Sequence, residues 1–450
     1  MGRTKKILIR HATLVNEGTL RVGDIAVADG RIVNPSLLRE KDCEVIDASG
    51  CYLLPGVIDT HVHFRDGGDG SNPAGDFSTE SRAAVAGGVT SVIDMPNTQP
   101  QTTSIETLEV KEKMAAEKSA VNYGFMLGAT NDNIEQLLQI APSRYAAIKL
   151  FLGSSTGNML VNDPEKLDRL FAESKKIIVA HCEEESVIQA NLANLKAEFQ
   201  GSDKESAALH PKVRNTEACF LSTYKAVERA RKFGTRLHIA HLSSATELDL
   251  LSNRSLDEKR ITAEVTPNHL WFDDRDYDTM GNRIKCNPAI KSNDDRLALW
   301  AALYDGLIDT IATDHAPHPW EAKQKPYFDA PSGIPSIQHS LPMMLESIFN
   351  PASRQQDDES LINIWLPLIV EKMSHNPARL FGIKERGFLR PGYWADMVIV
   401  RPTLPDGIEI KKSDLRYKCG WSPLEGQFLH TEIVRTFVNG DIGPMKLEFD

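Results

Sequence analysis

Two histidines one residue apart, His61 and His63, end an apolar run that begins at Gly56, and Arg65 follows at the same interval. In an extended strand side chains alternate between faces, so His61, His63 and Arg65 would project together. Two imidazoles so placed can bind one metal ion, and a guanidinium just beyond can grip a carboxylate. Comparable residues recur where later apolar stretches end. Asn97 lies in Asp94-Met95-Pro96-Asn97-Thr98, His181 in His181-Cys182-Glu183, and His241 before Leu242-Ser243. Asp314 and His318 lie in Thr313-Asp314-His315-Ala316-Pro317-His318. A lone histidine at a strand end is most often a hydrogen-bonded structural residue. Four of them, with a lysine and an aspartate, are hard to explain as packing.

The lysine is Lys149, set between Ile148 and Leu150-Phe151-Leu152. A protonated amine is a poor metal ligand. Burial among apolar neighbours lowers its pKa, and some neutral amine then exists. Neutral amine can add carbon dioxide to give a carbamate, an anion able to bridge two metal ions. The plainer alternative is a lysine that snorkels to solvent or pairs with a carboxylate.

These side chains need a scaffold that gathers strand ends. Apolar segments suited to strands occupy residues 57–64, 90–95, 122–127, 147–152, 177–182, 236–242, 261–265 and 309–313. Helical stretches such as 105–118, 215–233 and 294–304 separate them. Eight alternating units imply an α/β fold, a closed (β/α)8 TIM-type barrel, with its active site at the C-terminal ends of the strands. A doubly wound open sheet is the alternative. The two ends of the chain differ from this pattern, being short strands and turns. We therefore expect a composite β domain from residues 1–55 plus 387–450, and a barrel over 56–386. Residues 319–333 have little periodicity and either cover the site or form a surface excursion. Glu264, inside the seventh strand, is either a support for a ligand or a buried acid paired with a base, and stays outside the candidate site.

The 450 residues are 41% apolar and 25% charged, as in ordinary globular proteins. A net charge of −11 argues against nucleic acid or an anionic membrane as partner, so an anionic substrate would need a local basic pocket. The six cysteines form no Cys-x-x-Cys pair, which points to a reducing, cytoplasmic setting. The first residues are basic without a long apolar core, and Lys6 stands where a myristoylation site has Ser or Thr, so neither a signal peptide nor a lipid anchor is expected. No apolar run is long enough to span a bilayer. A homodimer is the default for such a chain.

The histidine, lysine and aspartate pattern resembles the amidohydrolase superfamily. The flanking residues of His61-Val62-His63-Phe64-Arg65-Asp66, Met95-Pro96-Asn97-Thr98, Ala180-His181-Cys182-Glu183, Asn287-Pro288 and the segment after Thr313 resemble its dihydroorotase family. Gly392-Tyr393-Trp394-Ala395-Asp396 is similar to that family's returning strand near the C-terminus. The resemblance implies a barrel with a small β-sandwich domain built from both chain termini. It implies two divalent metal ions, zinc by preference, with His61, His63 and Asp314 on one and His181 and His241 on the other. Carbamylated Lys149 would bridge them. Asp314 would also be the general acid and base, and Arg65, Asn97, Asn287 and His318 would hold a small-molecule substrate, carbamoyl-aspartate or dihydroorotate. Two details depart from the family pattern: Arg65-Asp66 is followed by Gly67-Gly68 in place of Pro-Gly, and Pro267-Asn268-His269 stands for Pro-His-His. The nearest alternatives are an allantoinase or hydantoinase. A metal-free scaffold relative would be expected to have lost ligands, and all six candidates are present.

Overall fold

The computed structural model describes residues 5–153, 159–351, 359–403 and 405–450. Residues 1–4, on which the reading of the chain's start partly rests, lie outside them. The N-terminal stretch folds as β1 (Ile7–Asn16), β2 (Thr19–Ala28), β3 (Arg31–Val33), β4 (Glu44–Asp47) and β5 (Tyr52–Pro55). Its first two hairpins turn at Glu17-Gly18 and Asp29-Gly30, where both residues have positive φ, a turn whose twist matches antiparallel strands.

The barrel follows. Its strands are β6 (Val57–Val62), β7 (Val89–Asp94), β8 (Asn122–Phe125), β9 (Leu127–Gly128), β10 (Ile148–Phe151), β11 (Ile178–His181), β12 (Leu237–Ile239), β13 (Ile261–Val265) and β14 (Thr310–Ile311). β8 and β9 are two halves of the third stave, split at Met126, so the eight expected staves are present. All pairings among them are parallel. β6 to β10 are buried along their whole length, which explains their nearly continuous apolar sequence. The last seam, between β14 and β6, is closed by polar groups. The buried Asp59 carboxylate accepts from the Thr313 hydroxyl (2.6 Å) and amide (3.1 Å), and the His63 amide donates to the His315 carbonyl (2.8 Å). Burial pushes Asp59 up to about 6, with the Thr313 bonds opposing it.

Outer helices follow from apolar spacing and caps. In Thr216–Phe233, Asn215 caps the start, Gly234 ends it at φ +69, and Ala218, Cys219, Ser222, Thr223, Ala226, Val227 and Ala230 form the buried face. After the barrel come β15 (Met397–Pro402), β16 (Ile408–Glu409), β17 (Phe428–Leu429) and β18 (Thr431–Phe437). β15 joins β5, and β18 joins β15, so strands from both ends of the chain share one sheet. Ile7, Ile9, Val27, Leu53, Met397 and Phe437 meet in its core. The segment between β16 and β17 returns to the barrel: Lys418 binds Asp76 (2.7 Å), and Trp421 reaches the loop after β14. All six cysteines are free, and no helix among the described residues is long and apolar enough to cross a membrane.

One expectation is corrected. The first barrel strand ends at Val62, short of Phe64. The Phe64 amide turns instead to the Asp94 carboxylate (2.9 Å), and Arg65 takes a left-handed φ of +58°. Strand alternation therefore does not aim Arg65; a left-handed turn does.

Candidate active site

The residues that sequence reading placed at strand ends meet at the C-terminal mouth of the barrel. His61 is the last residue but one of β6, and its Nε2 lies 3.2 Å from Asp314 Oδ1. His63 Nε2 approaches the same oxygen at 3.0 Å. His181 closes β11, and its Nδ1 faces His241 Nε2 at 2.9 Å. His61 and His241 rings are 5.3 Å apart. Asp314 and His241 stand just past β14 and β12 with φ of +48° and +37°. Such angles are costly for residues with a Cβ, and three of the nine non-glycine cases in the described chain (Arg65, His241 and Asp314) fall in this one site.

Lys149 points inward from β10 and is wholly buried. Its Nζ meets no hydrogen-bond partner among the described residues, and burial pushes it down to about 8 against the opposing pull of Glu264 and Asp314. Burial likewise lowers His63 to about 4 and holds His181 and His241 below their ordinary value, so these imidazoles are neutral and have lone pairs to offer. Burial alone would raise Asp314, but the surrounding imidazoles outweigh it and keep the carboxylate ionised. The donor atoms of His61, His241 and Asp314 all lie within 4.8 Å of one another. Neutral imidazoles, an ionised carboxylate and an unbonded amine form a donor set suited to divalent cations. Here the ligands do not separate cleanly into two sets, because His241 approaches both His181 and the His61–Asp314 pair.

Two carboxylates orient the histidines from behind. His61 Nδ1 donates to Glu264 Oε1 (2.7 Å), which also accepts the His241 amide (3.2 Å). His181 Nε2 donates to Glu183 Oε2 (2.9 Å), and Arg214 pairs with that same oxygen. A histidine that gives one ring proton to a carboxylate presents its other nitrogen in a fixed direction. Glu264 was visible in the sequence as an acid inside an apolar strand. Arg214 carried no local signal. Gly153 brings the loops after β10 and β11 together: a Cβ there would stand 2.4 Å from the Glu183 carbonyl.

Arg65 and His318 form a second group. Arg65 Nη2 lies 3.3 Å from His318 Nε2, but that nitrogen is also 2.9 Å from the Ser332 carbonyl. A carbonyl only accepts, so the His318 ring proton sits on Nε2 and that nitrogen cannot accept from Arg65. Burial, then the Arg65 charge, drive His318 down to about 2, so the ring is neutral. Arg65 Nε is enclosed without a partner, Arg65 has no ion pair among the described residues, and burial lowers it to about 10. The loops carrying Arg65 and Asn97 are tied through Asp94, which accepts from the Phe64 amide and the Thr98 hydroxyl (3.2 Å). Asn97 is buried. Asn287 Oδ1 is enclosed with no hydrogen-bond donor among the described residues, in a loop held by His210 at the Cys286 carbonyl (2.7 Å) and His269 at the Pro288 carbonyl (3.1 Å). No direct bond joins Asn287 to Arg65 or His318.

The model of the amidohydrolase family matches residues 52–443. The chain belongs to the amidohydrolase family. A dihydroorotase from Methanosarcina acetivorans is 33% identical over 436 residues, covering 93% of this chain and 88% of that one. An allantoinase from Salmonella choleraesuis is 27% identical over 445 residues, covering 97% and 94%. The solved structure of an L-hydantoinase (dihydropyrimidinase) from Arthrobacter aurescens superposes with a TM-score of 0.86 at 27% identity, covering 96% of this chain and 95% of that one. The fold is accordingly a (β/α)8 barrel with a small β-sandwich domain built from both chain termini. As in other barrels of this kind, the chemistry-bearing side chains lie beyond the C-terminal strand ends.

Proposed function

We propose that this amidohydrolase is a dihydroorotase, closing N-carbamoyl-L-aspartate to L-dihydroorotate plus water and running the reverse reaction. One observation carries the reading: Arg65 presents a half-buried guanidinium, its Nε enclosed, with no carboxylate partner among the described residues. An unpaired desolvated charge is costly, and a substrate carboxylate would relieve it. Dihydroorotate carries a carboxylate, whereas the rings opened by hydantoinases and allantoinases have none in that position. Lys323 stands near enough to Arg65 and to Lys285 for both charges to be felt, giving an acidic chain a local basic pocket. The relatives at 33% identity that are dihydroorotases support the same choice.

His61, His63, His181, His241 and Asp314, with Lys149 as its carbamate, would hold two divalent ions, which we take to be zinc. Bound there, the ions would make water nucleophilic at neutral pH and draw electron density from the amide carbonyl. Glu264 and Glu183 hold His61 and His181 in the required tautomers. In ring opening, Asp314 takes the proton of the attacking water and delivers it to the ring nitrogen as the carbon–nitrogen bond breaks. In ring closure it takes the proton from the carbamoyl nitrogen and hands it to the carboxyl hydroxyl, which departs as water. Arg65 grips the substrate carboxylate with Asn97 and His318 beside it, and Asn287 contacts the amide edge of the ring. The loop after β6 is firmer than Gly67-Gly68 suggests, since the Asp66 carboxylate receives the Gly68 amide (2.7 Å), the Phe77 amide (3.1 Å) and Lys118 (3.0 Å).

A hydantoinase or allantoinase reading shares the same barrel and ligands, and relatives of those kinds cover nearly the whole chain. The test is turnover of L-dihydroorotate by purified protein with zinc and bicarbonate, beside allantoin and dihydrouracil. Turnover of dihydroorotate alone supports the proposal; turnover of an uncharged ring in its place moves the chain to the other reading.

A further inference from the structure

The loop that follows β14 is fastened by buried lysines. Lys323, 2% exposed, donates to the carbonyl oxygens of Lys285 (3.1 Å), Pro331 (3.0 Å) and Gly333 (2.9 Å). An ammonium has three protons and no acceptor, so this group is saturated. Beside it, Lys285 Nζ donates to the carbonyls of Tyr327 (2.7 Å) and Ala330 (2.6 Å), and the Gly333 amide returns to the Lys285 carbonyl (2.8 Å). The knot joins residues 319–333 to the segment just before Asn287.

His318 is held by the same strap. Its ring bonds the Ser332 carbonyl, which lies between the two strap residues, Pro331 and Gly333, that Lys323 grips. Its own carbonyl accepts from Trp421 Nε1 (2.8 Å), a residue of the C-terminal segment. Gly333, at φ +141°, passes so close that a Cβ would stand 2.3 Å from the Ala316 carbonyl and 2.9 Å from the His318 ring. A shift of the strap therefore moves His318, and with it the face opposite Arg65.

We propose that Lys323 is a positioning residue for the substrate pocket, holding residues 331–333 so that His318 keeps a preset place against Arg65. The proposal rests on the substrate-facing role of His318 and Arg65 given above, and extends it to what holds them. Lys323→Met keeps an unbranched chain but leaves the Pro331 and Gly333 carbonyls without this donor and the Lys285 carbonyl with the Gly333 amide alone, so the strap must loosen.

Hydrogen exchange of the peptide spanning 326–335 in the zinc-loaded enzyme reads the strap directly. Steady-state kinetics with L-dihydroorotate, in a double-mutant cycle with His318→Ala, reads its consequence. Lys323→Met should speed exchange in that peptide and raise KM by about tenfold or more, with kcat and metal content little changed. In the His318→Ala background the same substitution should add little, because the two act through one contact. Unchanged exchange, or a KM effect that persists in full without His318, overturns the proposal. Should Lys323→Met fail to fold, Lys323→Gln, a shorter side chain with two donor protons, removes part of the same grip, and the same outcomes apply. If the wild type does not turn over dihydroorotate, the substrate reading fails, while the exchange measurement still decides whether Lys323 holds the strap.

Discussion

Lys149 and Lys323 are both enclosed at the barrel mouth, one on its floor and one in its wall, and their amines meet opposite surroundings. Lys323 spends every proton on a backbone carbonyl. Lys149 meets no acceptor among the described residues. Burial pushes both down, Lys149 to about 8 and Lys323, with Lys285 and Arg65 adding to the effect, to about 7. The three carbonyls around Lys323 favour its charged form, so there the ammonium acts as a cross-link. A buried amine with nothing to donate to is destabilising as it stands, and such a group earns its place through reactivity. The same side chain thus marks chemistry where it is left unbonded and architecture where it is saturated.

That contrast can be broken most severely at Lys149. Lys149→Ala should remove most of the bound metal and nearly all activity, measured by elemental analysis and turnover; full metal content in this variant would remove the carbamate from the account. Arg65→Met acts on the wall instead. It should leave the metal in place and weaken substrate binding by about 2–5 kcal/mol, the range for a broken desolvated charge pair. Unchanged binding would make Arg65 structural. Glu264→Gln keeps the shape behind His61 and removes a charge, and should lower metal affinity by about 10–100-fold, read by competition with a chelating dye.

The pH dependence of activation is the subtlest effect. Lys149 titrates near 8 in the fold against 10.5 in the unfolded chain. Between those values the unfolded chain binds the extra proton, so the stability of metal-free protein rises with pH across that window. Carbamate formation needs the neutral amine, which should be about twentyfold more abundant at pH 8.5 than at 6.5. At fixed dissolved carbon dioxide, the initial rate of activation of metal-free protein should rise by about that factor. A flat rate would detach activation from this amine.

The eight staves were legible because each is a run of apolar residues buried on both faces, bounded by polar strand ends. His61, His181 and Lys149 could be placed from periodicity, since each sits in or at the end of such a run. Arg65 and Asp314 were singled out by motif, but for Arg65 the expected strand geometry was wrong: a left-handed turn aims it, and no local pattern announces positive φ in these residues. Glu264 left a visible sign that was set aside. Arg214 and Trp421 left none, because each reaches the site from a segment remote in sequence, and only the closed barrel brings them there; Lys323 lies close to His318 in the chain, but no local pattern shows the carbonyls it binds.

The most direct test is the ratio of kcat/KM for L-dihydroorotate to that for dihydrouracil, measured for the wild type and for Arg65→Met with zinc and bicarbonate present. The account predicts a strong preference for dihydroorotate in the wild type, lost largely through KM when Arg65 is replaced. Equal use of both rings by the wild type, or a preference that survives Arg65→Met, would contradict it.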